Sequence, residues 1–363
     1  MKPGLAVSAY TVPTDAPEAD GTFDWDSTTL VVVEALHDEA TGIGWTYAPA
    51  AAADVIDSLL RPALPADRDP LDVPRAYELL SRAVRNAGRP GLIACAISAV
   101  DLALWDLKAR LLGLPLCRLL GSVRDGVPVY GSGGFTTYHE THLAQQVRGW
   151  VHGQGIPRVK IKAGEAWGRA AGRDVDRVRK ARAAMGPEGE LYVDANGAYN
   201  RKQAVRVGRL LAAEGVSWFE EPVSSDDLEG LARVREQVTA DVTAGEYGYA
   251  LPYFAAMAPS VDCLQADVTR CGGLSVWLRV AALAEAHGLE VSAHGAPHLH
   301  AHAAACVPNL RHVEWFHDHV RIEAMLFDGC LDPAGGVIHP GANGAPGHGL
   351  SLRREEAKPY RVR

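Results

Sequence analysis

The chain has 363 residues, 47% hydrophobic and 22% charged, with 36 Lys and Arg against 44 Asp and Glu for a net charge of −8. At roughly 150 residues per domain this length excludes a single small module and predicts about two domains, and the composition excludes disordered, fibrous and membrane-spanning classes. The acidic balance argues against nucleic acid or an anionic membrane as partner, because both require clustered cations.

Taken in chain order, Met1 to Tyr10 lacks an apolar core before a cleavage site, so no export signal is expected. Leu30 to Leu36 is rich in β-branched residues and leads through Asp38-Glu39-Ala40-Thr41-Gly42 into Ile43 to Tyr47, which predicts a hairpin. Helices are expected over Ala51 to Leu60, Arg75 to Arg85 and Leu92 to Leu112, the last stopped by Gly113 and Pro115. Asp101, Asp106, Lys108 and Arg110 interrupt that long apolar stretch and make it a buried helix, not a membrane span. Strands followed by segregated helices indicate an α+β unit.

From Val127 the pattern changes to short apolar runs alternating with amphipathic helices. The runs are Val127 to Tyr130, Arg158 to Ile161, Leu191 to Val193, Val216 to Phe219, Asp241 to Thr243, Val261 to Leu264, Leu289 to Ser292 and Arg311 to Val313. Helical periodicity fills the gaps, as in Val175 to Met185, Arg201 to Glu214 and Leu274 to His287. Short, evenly spaced strands with crossover helices predict a closed parallel barrel, with active residues at the strand carboxyl ends. Six scattered cysteines with no C-x-x-C pair fit a reducing cytoplasm and offer neither a disulfide framework nor a cysteine metal site.

Three acidic residues stand at such ends: Asp194 in Val-Asp-Ala-Asn-Gly, Glu220 in Trp-Phe-Glu-Glu-Pro and Glu246 in Ala-Gly-Glu-Tyr-Gly. Their equal spacing matches one βα repeat each, so all three reach one rim, where hard oxygen ligands converge on a divalent ion. An all-carboxylate set predicts Mg2+. Acidic residues also cap helices at strand ends, but equal spacing of three favours the metal. Lys160 and Lys162, two apart in one strand, point to one face. A second cation beside a lysine lowers its pKa toward the range of a useful base. Asp267 and His294 end consecutive strands, so a hydrogen bond between them would orient the imidazole and favour its protonated form. Glu314 ends the eighth strand and, if protonated, would donate to an oxyanion.

The order Lys-x-Lys, Asp, Glu, Glu, Asp, His, Glu at successive strand ends resembles the enolase superfamily, in particular its mandelate racemase subgroup. The resemblance covers nearly the whole chain and implies a modified TIM barrel, (β/α)7β, over 123–327. It also implies an α+β capping domain over 1–122, to which 328–363 returns. Carried over residue by residue, it implies Asp194, Glu220 and Glu246 as Mg2+ ligands, with Glu221 behind them. Lys162 becomes the base on one face of the substrate, with Lys160 perturbing it and touching the substrate carboxylate. His294 paired with Asp267 becomes the acid/base on the other face, Glu314 a donor to the carboxylate, and Asn196 a contact to the α-hydroxyl. The implied chemistry abstracts the proton α to a carboxylate through an ene-diolate. A homo-oligomer is implied as well.

Dehydration of an acid sugar to a 2-keto-3-deoxy acid is the leading outcome, since the subgroup contains many such enzymes and the stretch Thr11 to Asp26 is polar and acidic. Phe23 and Trp25 within it would equally form an apolar wall. Racemisation or epimerisation of a 2-hydroxy acid is the alternative, and a non-catalytic Mg2+-dependent carboxylate binder is the reading from another class. Muconate-type cycloisomerases carry Lys where this chain has Asp267, which speaks against that reaction. His317 in Phe-His-Asp-His is a candidate contact to a polyhydroxy substrate. Arg270 pairs either with a carboxylate of the substrate or with the protein. His298, His300 and His302 are expected at a helix start and receive no metal, and the glycine clusters lack the nucleotide-binding spacing.

Overall fold

The computed structural model describes residues 4–363, so the first three residues of the amino-terminal stretch and of the expected cap lie outside the described residues. Strands β1 (Gly4–Ala19), β2 (Asp24–His37) and β3 (Ala40–Tyr47) form an antiparallel sheet in the order β1-β2-β3. The predicted hairpin is present, but its turn is tighter than expected. Ala40 already pairs with His37, leaving Asp38 and Glu39 at the bend, where Asp38 adopts φ 50°. Strand β1 has no counterpart among the predicted elements. Pro13 and Pro17 break its alternation, and the ladder with β2 is irregular between Pro13 and Glu18 before it resumes at Glu18↔Trp25.

Beyond that irregularity, the tip of the β1–β2 ribbon reaches the barrel. Thr136 N–H donates to Ala19 O (2.8 Å) and Trp167 N–H to Gly21 O (2.9 Å). The helix Leu92–Leu111 lies against the sheet, and Gly44 of β3 permits the contact, since a Cβ there would collide with the backbone of Ala103 and Ala99. The opposite face of β3 carries Trp45, which stacks on Phe327 at 4.6 Å. Burial on both faces explains why β2 holds four consecutive apolar residues, Leu30 to Val33, with no exposed surface. The charged residues of the long helix are partnered. Asp101 accepts from Ser275 N and Oγ, tying it to the barrel, and Asp106 accepts from Ile43 N, His348 N and Arg110 Nε.

Eight parallel strands follow: β4 (Val127–Gly133), β5 (Arg158–Lys162), β6 (Glu190–Asp194), β7 (Val216–Glu220), β8 (Asp241–Ala244), β9 (Cys263–Ala266), β10 (Glu290–Ala293) and β11 (Leu310–Phe316). Each pairs with the next, and β11 pairs with β4, closing the barrel predicted from the alternation. Strand β9 begins two residues later than predicted, which leaves Asp267 just past its end. Tyr130, Tyr192 and Trp218 pack around the His312 ring inside the barrel, with centroids 4.6–5.4 Å from it, and form an apolar floor below the rim.

After β11 and the helix His317–Leu326 the chain turns back. Val337–Ile338 adds antiparallel to β4, and Phe327–Asp328 pairs with Ser351–Leu352. Ala9 of β1 bonds residues at the far end of the described chain, accepting from Val362 N (2.9 Å) and donating to Arg363 O (3.1 Å). Arg354 pairs with Glu34 of β2. No helix among the described residues is long and apolar enough to cross a membrane. All six cysteines are free.

Candidate active site

Pairing register brings the first site residues together. Lys162, Asp194 and Glu220 are direct partners across β5, β6 and β7, so the three strands end level at one rim. Glu246 follows β8 after Gly245, whose φ of 136° suits glycine alone, and a Cβ at that position would strike the Gln265 carbonyl oxygen. Asp194, Glu220 and Glu246 are buried and each offers an oxygen within 4.8 Å of the others.

The two lysines share a side, as their spacing requires, but not a situation. Lys160 has no exposed surface; its ammonium contacts Glu220 Oε1, lies 2.9 Å from Glu314 Oε1 and sits 5.3 Å from the Tyr130 ring centre. It does not line the cleft above. Lys162 does, and donates to Asp194 Oδ2 at 2.6 Å. Burial disfavours its charge, yet Asp194, Glu246 and Glu314 together outweigh burial and the neighbouring Lys160, and the Lys162 pKa is raised. The expectation that Lys160 makes Lys162 a base near neutrality is thus corrected for the ion-free site: a carboxylate in contact dominates a second ammonium.

Across the rim, His294 Nδ1 bonds Asp267 Oδ2 at 2.9 Å, while Nε2 lies 3.2 Å from Glu246 Oε2. Burial works against the imidazolium, but Glu246, Glu314 and Asp267 together raise the His294 pKa. Asp267 is itself fixed by Thr269 N–H (2.6 Å) and Thr269 Oγ (2.7 Å), and the Thr269 carbonyl accepts from Thr46 of β3. Glu314 accepts from Ser132 Oγ (2.6 Å) and Gly295 N–H (2.8 Å). Burial favours its neutral form, but Lys160, His294 and Lys162 hold it well below the usual carboxylate range. In this arrangement Glu314 is an acceptor, contrary to the expected donor, because three cations converge on it.

Asn196, with φ 44°, donates its backbone N–H to Asp194 Oδ1 (2.9 Å) and lines the cleft, its side-chain Oδ1 unbonded. Glu221 is buried directly behind, with φ 38° and an unbonded Oε1, and burial with Glu246 and Asp194 pushes its pKa well above normal. Burial and the neighbouring carboxylates also push Glu220 up to about 7 despite Lys160. Six acids (Asp194, Glu220, Glu221, Glu246, Asp267, Glu314) thus face four cations (Lys160, Lys162, Arg270, His294), and Glu246 Oε2 accepts no hydrogen bond. A divalent ion on hard oxygen donors would offset the excess of acids and draw on Glu246 Oε2, which faces His294 Nε2 without a hydrogen bond.

The cleft, about 480 Å³, also takes residues that strand-end reasoning missed. Asp20, Phe23 and Trp25 come from the ribbon tip, Ser27, Thr28 and Thr29 from β2, Tyr47 from the end of β3, and Asp318 and His319 from the helix after β11. Phe23 stacks on Trp25 at 6.2 Å and forms the apolar part of the wall beside the polar groups. His319 stacks on Tyr47 at 3.5 Å. The polar, acidic stretch Thr11 to Asp26 with Phe23 and Trp25, and the Phe-His-Asp-His motif, were the sequence signals for them. His317 is not among the lining residues; it turns outward to Asp15 (3.1 Å), so the structure does not place the expected substrate contact in the cleft. Arg270 is held by Glu246 (3.3 Å) and Asp267 (3.4 Å) over the Tyr247 ring. His298, His300 and His302 lie in the helix Pro297–Ala304 and point to separate partners, Glu323, Val268 N and Cys117 N.

Comparison with known proteins agrees with this layout. Residues 13–121 match the mandelate racemase/muconate lactonizing enzyme N-terminal domain model, and residues 142–357 match the enolase C-terminal domain-like model. The chain is 33% identical over 309 residues to L-talarate/galactarate dehydratase of Salmonella typhimurium, covering 81% of this chain and 75% of that one. It is also 33% identical to 3,6-anhydro-alpha-L-galactonate cycloisomerase of Streptomyces coelicolor, over 94% of both chains. Among solved structures, a mandelate racemase/muconate lactonizing enzyme-like protein from Rubrobacter xylanophilus superimposes with TM-score 0.95 at 50% identity over 99% of both chains. A Streptomyces coelicolor racemase with bound magnesium gives 0.92 at 31%, again over 99% of both. The chain belongs to the mandelate racemase/muconate lactonizing enzyme family of the enolase superfamily.

Proposed function

We propose that this protein is a Mg2+-dependent enzyme that removes the proton α to a carboxylate and dehydrates an acid sugar to a 2-keto-3-deoxy acid. The observation that carries the reading is the convergence of Asp194, Glu220 and Glu246 within 4.8 Å beside a cleft lined by both Lys162 and His294. These three carboxylates would hold the ion, which supplies positive charge where negative charge develops on the substrate carboxylate. Lys162 receives the α-proton. Its contact with Asp194 Oδ2 (2.6 Å), which Lys160 also approaches (3.7 Å), favours its protonated form, and an ion held by Asp194 would compete for that negative charge. His294, oriented through Nδ1 by Asp267, presents Nε2 and delivers a proton to the β-hydroxyl. The C–O bond then breaks, water leaves, and the enol collapses to the keto acid.

Asn196 and Lys160 position the carboxylate end in this scheme, the first from the cleft wall and the second through Glu220 and Glu314 beneath it. The division into a cap of 1–122 with 328–363 and a barrel of 123–327, and assembly as a homo-oligomer, belong to the same proposal; light scattering checks the latter. The decisive experiment incubates the protein with Mg2+ in deuterated water and a panel of aldonic, uronic and aldaric acids, following α-deuteration and keto-acid formation. Both signals support dehydration. Deuteration without keto acid replaces it with racemisation or epimerisation, and binding without deuteration leaves a carboxylate binder.

Glu220→Gln is expected to abolish Mg2+ binding by calorimetry along with turnover. Retained turnover would remove Glu220 from the ligand set.

A further inference from the structure

The wall of the cleft contributed by the cap and by the helix His317–Leu326 differs in charge from the barrel rim. Every cation lining the cleft belongs to the rim and is already committed: Lys162 to Asp194, Arg270 between Glu246 and Asp267, His294 to Asp267. The cap-side wall instead presents the carboxylate of Asp20, which has no ion-pair partner among the described residues, the ion-paired carboxylate of Asp318, whose oxygens take Arg321 and the Thr28 hydroxyl, and the hydroxyls of Ser27, Thr29 and Tyr47, the last donating to Glu323. His319, on the same wall, accepts Ala296 N–H at Nδ1 (3.0 Å), which places its proton on Nε2 and makes it a neutral donor. The two cations just outside are each already spent on a carboxylate. Arg321 donates to Asp318 Oδ1 and Pro13 O, both at 2.7 Å, and His317 pairs with Asp15.

Such a wall suits hydroxyl groups, which both donate to carboxylates and accept from hydroxyls. A second carboxylate there would meet Asp20 with no free cation among the described residues to offset it, since Arg321 is spent on Asp318, and like charges brought together out of bulk water oppose binding. We infer that the cap side of this cleft receives the uncharged polyol end of a monocarboxylate sugar acid, so that the substrates are aldonates and not aldarates. The inference rests on the dehydratase reading for the reaction, but not for the discrimination. It separates this chain from the relative whose named substrates, talarate and galactarate, carry a carboxylate at both ends.

The test uses pairs that differ only at the terminal carbon, gluconate with glucarate, galactonate with galactarate and mannonate with mannarate, in the presence of Mg2+. Dissociation constants are measured by calorimetry and kcat/KM by keto-acid formation. In the best-recognised pair the aldonate is expected to be favoured at least tenfold in both, with the gap narrowing as salt is raised. Equal or better use of the aldarate, or binding of neither member of any pair, overturns the inference. Conversion of both members alike would overturn it while leaving the dehydratase reading intact. A binding preference without conversion or α-deuteration would do the reverse. Asp20→Asn is expected to shrink the preference several-fold, and Asp318→Asn, which frees Arg321 to meet a second carboxylate, is the second variant. An unchanged preference in both, each shown to be folded by circular dichroism, also overturns it.

Discussion

Lys160 and Lys162 are two residues apart and chemically identical, yet their environments assign them different work. Lys160 lies entirely inside, between Glu220 and Glu314 above an aromatic floor, so removing its charge strands two buried carboxylates. Lys160→Met is expected to cost roughly 3–5 kcal/mol of stability in urea melts, the usual penalty for breaking a buried ion pair. Lys162→Ala is expected to cost clearly less in the same melts, because Lys162 faces the cleft, while α-deuteration falls by about 10²–10⁴. Similar melting behaviour of the two variants would contradict this division. His294→Asn and Asp267→Asn should match each other in lost dehydration, since Asp267 acts by holding the imidazole. Full activity of Asp267→Asn would free the imidazole from its partner. At this scale the sequence was informative about identity and spacing: three carboxylates one βα repeat apart do meet, and alternation does put both lysines on one side. It was silent on what each group touches in depth, which is why the pKa of Lys162 and the charge of Glu314 came out opposite to expectation.

At the scale of elements, the barrel was legible because each strand is short, apolar and followed by a periodic helix. The hairpin β2–β3 was legible from β-branched residues around a turn. Strand β1 was not, because two prolines and alternating polar residues erase its pattern and its pairing is supplied by β2. That loss concealed the ribbon that carries Asp20, Phe23 and Trp25 to the cleft, although the stretch Thr11 to Asp26 was itself legible as a wall over it. Two glycines separate the roles of the elements they serve. Gly245→Ala forces β8 away from the Gln265 carbonyl and is expected to destabilise by about 1–3 kcal/mol and to weaken Mg2+ binding, through displacement of Glu246. Gly44→Ala pushes β3 off the helix Leu92–Leu111 and should raise KM with Mg2+ affinity unchanged. Calorimetric Mg2+ titration of both variants distinguishes the two, and equal effects would contradict the separation.

At the scale of the molecule, cap and barrel are joined through a buried set of Tyr47, His298 and Glu323. Tyr47 Oη of β3 donates to Glu323 Oε1 (2.9 Å), and His298 from the barrel pairs with the other oxygen. Burial disfavours the imidazolium, but Glu323 and the Cys330 thiol together outweigh it and the His298 pKa is pushed up to about 10. A raised folded-state pKa stabilises fully below the ordinary histidine value and fades as pH climbs through the raised one. Stability is therefore expected to decline between pH ~6.5 and ~10. Thermal melts across that range should show the slope in the native protein and a flatter profile in His298→Asn. An unchanged slope would remove the pair from the account. The negative charge of the whole chain was legible from composition, but not that its acids cluster in a cleft the net value conceals.

The bond pair between Ala9 and residues 362–363 has a consequence for biosynthesis. Strand β1 is the outer edge of its sheet and is made first, while the residues that cover part of that edge are made only after all eight barrel strands. Throughout elongation the nascent chain thus carries an open β-edge of the kind that recruits other strands.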